Sequence, residues 1–185
     1  MSALAPVAAL LLSVAILVMG NGLQSTLLPV RANIESFSLL DIGILGSAYF
    51  VGFAIGCVTG SRLIHRAGHI RVFTAMAAIA SAVALAHALV LQPVIWWPLR
   101  AITGFCFAVL YIVIESWLNE RSTNETRGLV MSLYTAISLA VLTLGQLMIT
   151  IYDPAAFPLF ALASILVSLA AVPVALTAVP APAPR

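Results

Sequence analysis

Charged residues are scarce in this sequence of 185 residues, and lysine does not occur at all. Only 8% of the residues are charged whereas 63% are hydrophobic, so a soluble domain of this composition would expose apolar surface on every side. The arginines lie in short groups rather than along one helical face, and this distribution does not indicate a surface that binds nucleic acid. We therefore predict an integral membrane protein that contacts lipid and binds no nucleic acid.

Residues that carry catalytic or metal chemistry are also few. The two cysteines, Cys57 and Cys106, fall in different apolar runs without the spacing of metal ligands, so we expect both to be buried packing residues. No glycine-rich phosphate loop, hydrolase elbow or catalytic dyad is present in the sequence. We predict that the protein is not an enzyme and has no cofactor and no metal site.

Long apolar runs fill most of the sequence. A helix of about 20 apolar residues crosses a hydrocarbon core of roughly 30 Å. Six runs reach that length, at residues 4–29, 40–64, 72–91, 95–118, 129–152 and 157–179. The first has no basic segment before it and continues well past the usual length of the apolar region of a signal peptide, so we expect all six spans in the mature protein. They predict a helical bundle over residues 1–179, followed by an Ala/Pro-rich tail or linker at 180–185.

Tryptophans mark both ends of the fourth run. Trp96 and Trp97 stand at one end and Trp117 at the other, and the 20 residues from Trp97 to Trp117 extend about 30 Å as a helix. Aromatic side chains of membrane proteins concentrate at the two membrane interfaces. We therefore predict that these three tryptophans lie at the interfaces.

Cationic residues cluster between alternate spans. They are Arg62, His65, Arg66, His69 and Arg71 between spans 2 and 3, Arg121 and Arg127 between spans 4 and 5, and Arg185 at the chain end. Short loops rich in arginine stay on the cytoplasmic side of a membrane. We predict a protein of the bacterial cytoplasmic (inner) membrane with both termini in the cytoplasm.

An internal repeat relates spans 2 and 5. Gly43, Ser47 and Tyr49 reappear 85 positions later as Gly128, Ser132 and Tyr134. Two units of three spans each would be inverted relative to one another, as in many secondary transporters. The alternative is a chance match within an apolar chain of low complexity. We predict an all-α membrane protein whose six transmembrane helices form a 3+3 inverted repeat.

Three short motifs indicate a family. They are "RAGHIR" at residues 66–71, "LRAITG" at 99–104, in which Arg100 precedes Gly104 by four positions, and "ESWLNE" at 115–120. Together they resemble the amino-terminal six-helix half of the major facilitator superfamily, specifically its YcaD-like branch. Ser61 and His65 stand where the family has a glycine and an aspartate, and span 5 lacks the glycine-proline motif of the drug/proton antiporters.

The resemblance implies half of a major-facilitator fold, because a typical member is about twice as long. It implies a secondary active transporter that moves a small solute by alternating access between two six-helix bundles. The alternative function is a non-transporting accessory or assembly subunit, derived from a transporter half, that binds another membrane-protein complex. A second six-helix bundle or such a complex is the expected partner.

A polar layer marks the predicted solute site. Arg100 lies about three residues inside the membrane from the Trp96–Trp97 pair, where an arginine is costly unless it snorkels, pairs or faces water. The matching arginine of the family faces the central cavity. Asn21 and Gln24 in span 1 and Gln146 in span 5 lie at a similar height. We predict that these four residues bind a small polar or anionic solute, the alternative being hydrogen bonds between helices.

Glu115 is the one acidic residue well within a predicted span. It could act as a protonatable group, but the basic cluster lies at the same end of the bundle. We therefore predict that Glu115 pairs with Arg62 or Arg66 next to Gly68 and locks this end in one conformation.

Span 2 also contains Gly52, Gly56 and Gly60, which share one helical stripe where another backbone can approach closely. Packing within the bundle is one possibility. Helix 2 of the family borders the other half, so we predict that this stripe forms the interface with the partner.

Overall fold

The computed structural model describes residues 4–176, with side chains from residue 7 onward. The predicted tail at 180–185, including Arg185, lies outside the described residues. The elements within them are α1 (Leu4–Ile34), α2 (Leu39–Ala67), α3 (His69–Leu89), α4 (Pro93–Arg121), α5 (Arg127–Leu147), α6 (Pro158–Leu169) and the short α7 (Ala171–Ala175). A 3₁₀ turn, Met148–Thr150, continues α5, and α7 continues α6. Six helical segments in this part of the chain are long and apolar enough to cross a membrane, as predicted.

Local signals in the sequence set several helix boundaries. Ser38 and Asp41 form a capping box at the start of α2, in which the Ser38 side chain accepts a hydrogen bond from the backbone of Asp41 at 3.1 Å. Pro93 and Pro158 begin α4 and α6, where the missing N–H of proline has no cost. Gly68 alone separates α2 from α3, with φ of 85°, a conformation that favours glycine.

The predicted cationic loop between spans 2 and 3 is therefore a one-residue turn. Arg62 and Arg66 belong to the end of α2, and Arg71 to the first turn of α3. We call this end of the bundle, where α2 and α4 end, the basic end. The other end, where α1 and α3 end, is the opposite end.

The helices exchange partners between the two halves of the bundle. In α1 and α4, 61% of the most apolar stretch is buried, against 17% in α2 and 11% in α5, so α1 and α4 are central and α2 and α5 are flanks. The flank α2 packs on α4, whereas the flank α5 packs on α1. On the other side α3 packs on α4, α6 packs on α1, and α3 and α6 meet. Swapping α1–α3 for α4–α6 reproduces this pattern, which is the predicted 3+3 inverted repeat.

Glycines allow these exchanged contacts to be close. A Cβ on Gly52 would overlap the Ala101 carbonyl, and a Cβ on Gly56 would lie 2.8 Å from the carbonyl oxygen of Phe105. A Cβ on Gly60 would meet Ile112, again on α4. The stripe formed by Gly52, Gly56 and Gly60 therefore packs inside the bundle, and the prediction that it contacts a partner is wrong. The neighbouring α4 occupies the glycine face completely.

The pair α1 and α5 is built in the same way. A Cβ on Gly145 would overlap the Met19 carbonyl, and a Cβ on Gly22 would overlap that of Leu142. Gly60 and Gly145 are again 85 positions apart, so the repeat extends to the residues that make these contacts. The offset of 85 positions therefore also relates two glycines that pack closely on a neighbouring helix.

The core lies among α1, α3, α4 and α6. Trp96 and Trp117 belong to it, with exposures of 0% and 1%, and the Trp96 indole N–H donates to the Val90 carbonyl at 2.7 Å. Both rings lie near the ends of α4 and face the inside of the bundle, and Trp97 is half-buried; their position at the membrane interfaces stays a prediction. Cys106 is buried as expected, but Cys57 is exposed.

Candidate functional site

A pocket of about 280 Å³ lies between α1, α2 and α4, towards the opposite end of the bundle. Its polar lining comes from Asn21, Ser25, Tyr49 and Arg100, and Leu45 and Phe50 contribute to its apolar wall. We call it the arginine pocket. Two of the four residues predicted to bind solute, Asn21 and Arg100, therefore share one cavity.

Arg100 is the charged group of this pocket and is only 7% exposed. Its guanidinium carbon lies 4.4 Å from the centre of the Tyr49 ring, a cation–π contact that stabilises the charge. Among the described residues Arg100 forms no ion pair, and its Nη1 has no hydrogen-bond partner. A buried guanidinium with free N–H donors and no counter-ion favours an anion in the pocket.

Asn21 connects this pocket to a second one. Its amide nitrogen donates to the Tyr111 hydroxyl at 3.3 Å and lies beside the Tyr49 hydroxyl. The amide oxygen is buried without a partner in the described chain. Because Asn21 lines both cavities, its side chain is a wall between them.

The second pocket, also about 280 Å³, lies between α1, α4 and α5, and we call it the glutamate pocket. Glu115 supplies its charge, and the Glu115 carboxylate accepts a hydrogen bond from the Tyr134 hydroxyl at 3.1 Å. Thr135 and Ser138 of α5 add hydroxyl groups, and the Ser138 oxygen is buried with no partner in the described residues. The pocket is therefore acidic and rich in hydrogen-bond acceptors.

Glu115 does not form the predicted pair with the basic cluster. Among the described residues no ion pair joins Glu115 to Arg62 or Arg66. Both arginines line a separate groove of about 410 Å³ beside Phe105, between α2 and α4, whereas Glu115 is directed to the α5 side of α4. The prediction of a lock between these residues is therefore wrong. Its fourth residue, Gly68, forms the turn between α2 and α3.

Gln24 and Gln146, also predicted to bind solute, line neither pocket. Gln24 is 1% exposed and lies one turn after Gly20, whose backbone packs on α6, so it is turned away from the cavity. The Gln146 side chain is exposed, while its backbone lies near Gly22. Their heights along the helices placed them together, but their rotation about the helix axes separates them.

The two tyrosines of the repeat are the site residues that the sequence did not assign. Tyr49 contacts the cation of α4, and Tyr134, its counterpart 85 positions later, contacts the anion of α4. The repeated Gly-x-x-x-Ser-x-Tyr pattern was the available signal, since it placed both rings at equivalent positions of α2 and α5. Tyr111, between them on α4, had no such signal.

Known proteins of similar sequence are membrane transporters. The sequence profile of the Major Facilitator Superfamily matches residues 10–185. An uncharacterised MFS-type transporter of Enterobacter sp. strain 638 is 29% identical over 145 residues. The uncharacterised MFS-type transporter YcaD is 28% identical in Escherichia fergusonii and 27% identical in Escherichia coli O45:K1, over the same length.

Each alignment covers 78% of this chain and 38% of the relative, so the matched part of the chain corresponds to well under half of each relative. No solved structure matches the chain. The profile nevertheless extends over almost the whole sequence, and the six apolar helices form the inverted repeat of a major-facilitator half. The chain therefore belongs to the Major Facilitator Superfamily, as a membrane protein similar to YcaD-like transporters.

Proposed function

We propose that this bundle is half of a secondary active transporter that moves a small anionic or polar solute by alternating access. The observation that carries the proposal is Arg100, a buried cation on the wall of a 280 Å³ pocket that has no counter-ion among the described residues. Burying such a charge within a membrane span costs several kcal/mol unless a partner compensates it. Tyr49 compensates part of this cost, and a carboxylate or other anion of the solute supplies the rest.

A second six-helix bundle completes this transporter in our proposal. Glu115 and Thr135 are exposed on the isolated bundle although both lie within membrane-spanning helices. Polar groups at this depth normally face protein or a water-filled cavity rather than lipid. The surface formed by the pockets and the flanks α2 and α5 is thus the face that the second bundle covers. The glycine stripe of α2 takes no part, because α4 occupies it.

The orientation we propose places the basic end in the cytoplasm, in the inner membrane of a bacterium. Reporters that are active only in the cytoplasm should therefore work when fused after His69 or Thr123, which lie at the basic end. Exported reporters should work after Ser36 or Asp153 at the opposite end. The reverse pattern at two of these four sites would contradict the orientation.

Solute binding can be tested with a single reactive thiol. In a Cys57→Ser background, which removes the exposed native cysteine, Ser25→Cys places a thiol on the arginine pocket. We expect lactate and benzoate to slow its labelling by a maleimide at least about threefold in membranes, since a solute anion at Arg100 blocks access. The neutral lactamide and benzamide should not.

Gln146→Cys is the matched control, because its side chain is exposed outside the pocket and should be labelled at the same rate with or without anion. Equal protection of Ser25→Cys by the neutral amides would contradict an anion site. It would reassign the pocket to uncharged solutes.

A further inference from the structure

The glutamate pocket has a lining of its own that the anion site does not explain. Besides the Glu115 carboxylate it presents two phenol rings, Tyr111 and Tyr134, and an apolar wall that includes Leu139 and Leu142. Aromatic faces and a carboxylate beside apolar side chains are the surroundings in which proteins hold organic cations. Within residues 7–176, no basic side chain belongs to this lining.

Several hydrogen-bond acceptors on residues of this pocket receive no hydrogen bond from the described chain. The Asn21 side-chain oxygen and the Ser138 hydroxyl belong to residues that line this pocket, and both are buried without partners in the described chain; Asn21 is only 8% exposed. Glu115 receives one hydrogen bond, from Tyr134, and forms no ion pair with a described residue. An ammonium group has three N–H donors and no acceptor, and these three side chains match that inventory.

A hard metal cation suits the same pocket poorly. Such ions take about six or more oxygen ligands in a tight cage. A cavity of 280 Å³ with leucine and valine on its wall leaves room for an alkyl group instead. The volume, the apolar wall and the acceptors therefore favour a ligand that has both an alkyl group and hydrogen-bond donors.

We infer that the glutamate pocket binds a small organic ammonium ion, with Glu115 as its counter-ion and Asn21 and Ser138 as acceptors. This site goes beyond the proposed anion site and does not depend on it. Arg100 and Glu115 are 15 residues apart on α4, about 22 Å along the helix. A small zwitterion cannot reach both charges, so the two pockets hold separate ligands.

The test uses a thiol in this pocket. In the Cys57→Ser background, Thr135→Cys reports access, n-butylammonium is the probe, and 1-butanol is its neutral counterpart of similar size. We expect n-butylammonium to slow maleimide labelling at least about threefold and 1-butanol to have no effect, because only the cation pairs with Glu115. Glu115→Gln, which keeps the shape and removes the charge, should abolish the protection.

Two control variants distinguish the ammonium site from other charged residues of α4. Glu120→Gln removes an exposed carboxylate on the same helix outside the pocket and should keep full protection. Arg100→Ala should also keep it, so that a failed anion site and a failed ammonium site give different results. If Glu115→Gln does not fold, Ser138→Ala decides, and it should raise the half-protecting concentration of n-butylammonium several-fold.

Three results would overturn the inference. Protection by 1-butanol equal to that by n-butylammonium would make the pocket an unselective apolar cavity. Protection that persists in Glu115→Gln, or an unchanged half-protecting concentration in Ser138→Ala, would remove the proposed contacts. Equal protection by sodium chloride at the same concentration would assign the pocket to an inorganic cation instead.

Discussion

Arg100→Ala should weaken anion binding at the arginine pocket by at least about 30-fold, measured as the lactate concentration that half-protects the Ser25→Cys thiol. The alanine removes the cationic side chain that the described residues contribute to the pocket and leaves the neutral polar groups of Asn21, Ser25 and Tyr49. Losing one partner of a buried charged contact costs about 2–5 kcal/mol, and 2 kcal/mol corresponds to roughly 30-fold in affinity.

Arg100→Lys should retain part of the binding, because lysine keeps the charge but not the planar fork of N–H donors. Arg71→Ala is the matched control, since it removes an exposed arginine at the basic end and should leave the half-protecting concentration unchanged. Undiminished protection in Arg100→Ala would show that the guanidinium is held only by Tyr49 and serves packing.

Gly52→Ala and Gly104→Ala are expected to destabilise the bundle by about 1–3 kcal/mol each, as overpacking in a tight core does. The added methyl of Gly52→Ala would overlap the Ala101 carbonyl of α4, and that of Gly104→Ala would overlap the Tyr49 carbonyl of α2. Both carbonyls belong to helix backbones, so the two helices must move apart. Thermal unfolding in detergent measures the loss as a lower midpoint temperature.

The control for these variants is Gly43→Ala, also on α2, where an added methyl has no atom within 4 Å. It should be neutral or slightly stabilising, because alanine favours a helix by up to about 1 kcal/mol over glycine. Equal midpoint temperatures for all three variants would mean that α2 and α4 do not pack as closely as described.

Span positions were predictable because length and hydropathy alone determine them. The predicted runs at 40–64 and 95–118 fall within α2 and α4. Hydropathy does not predict which neighbour a helix packs on, because lipid and a partner helix are equally apolar. The stripe of Gly52, Gly56 and Gly60 was visible in the sequence, but only the structure shows that α4, rather than another bundle, packs on it.

The depth of the site residues in the membrane could be predicted from the sequence, but the direction in which each side chain faces could not. Counting residues from the span ends places Asn21, Arg100 and Gln146 at similar depth, and the structure brings the first two into one pocket. Each residue turns a helix by about 100°, so a small error in the assumed facing direction moves a side chain out of the cavity. Gln146 is such a case. Tyr49 was assigned no role because a tyrosine in an apolar helix packs more often than it binds.

The exchange of flanks between the repeats has a consequence for synthesis. The ribosome delivers α2 before α4, so the glycine face of α2 enters the membrane with no helix to receive it. For α5 the order is reversed, because its partner α1 is already inserted. The first three helices therefore form an incomplete bundle, and α2 gains its packing partner only when α4 has been translated. A nascent chain stalled before α4 should be the form most exposed to membrane proteases.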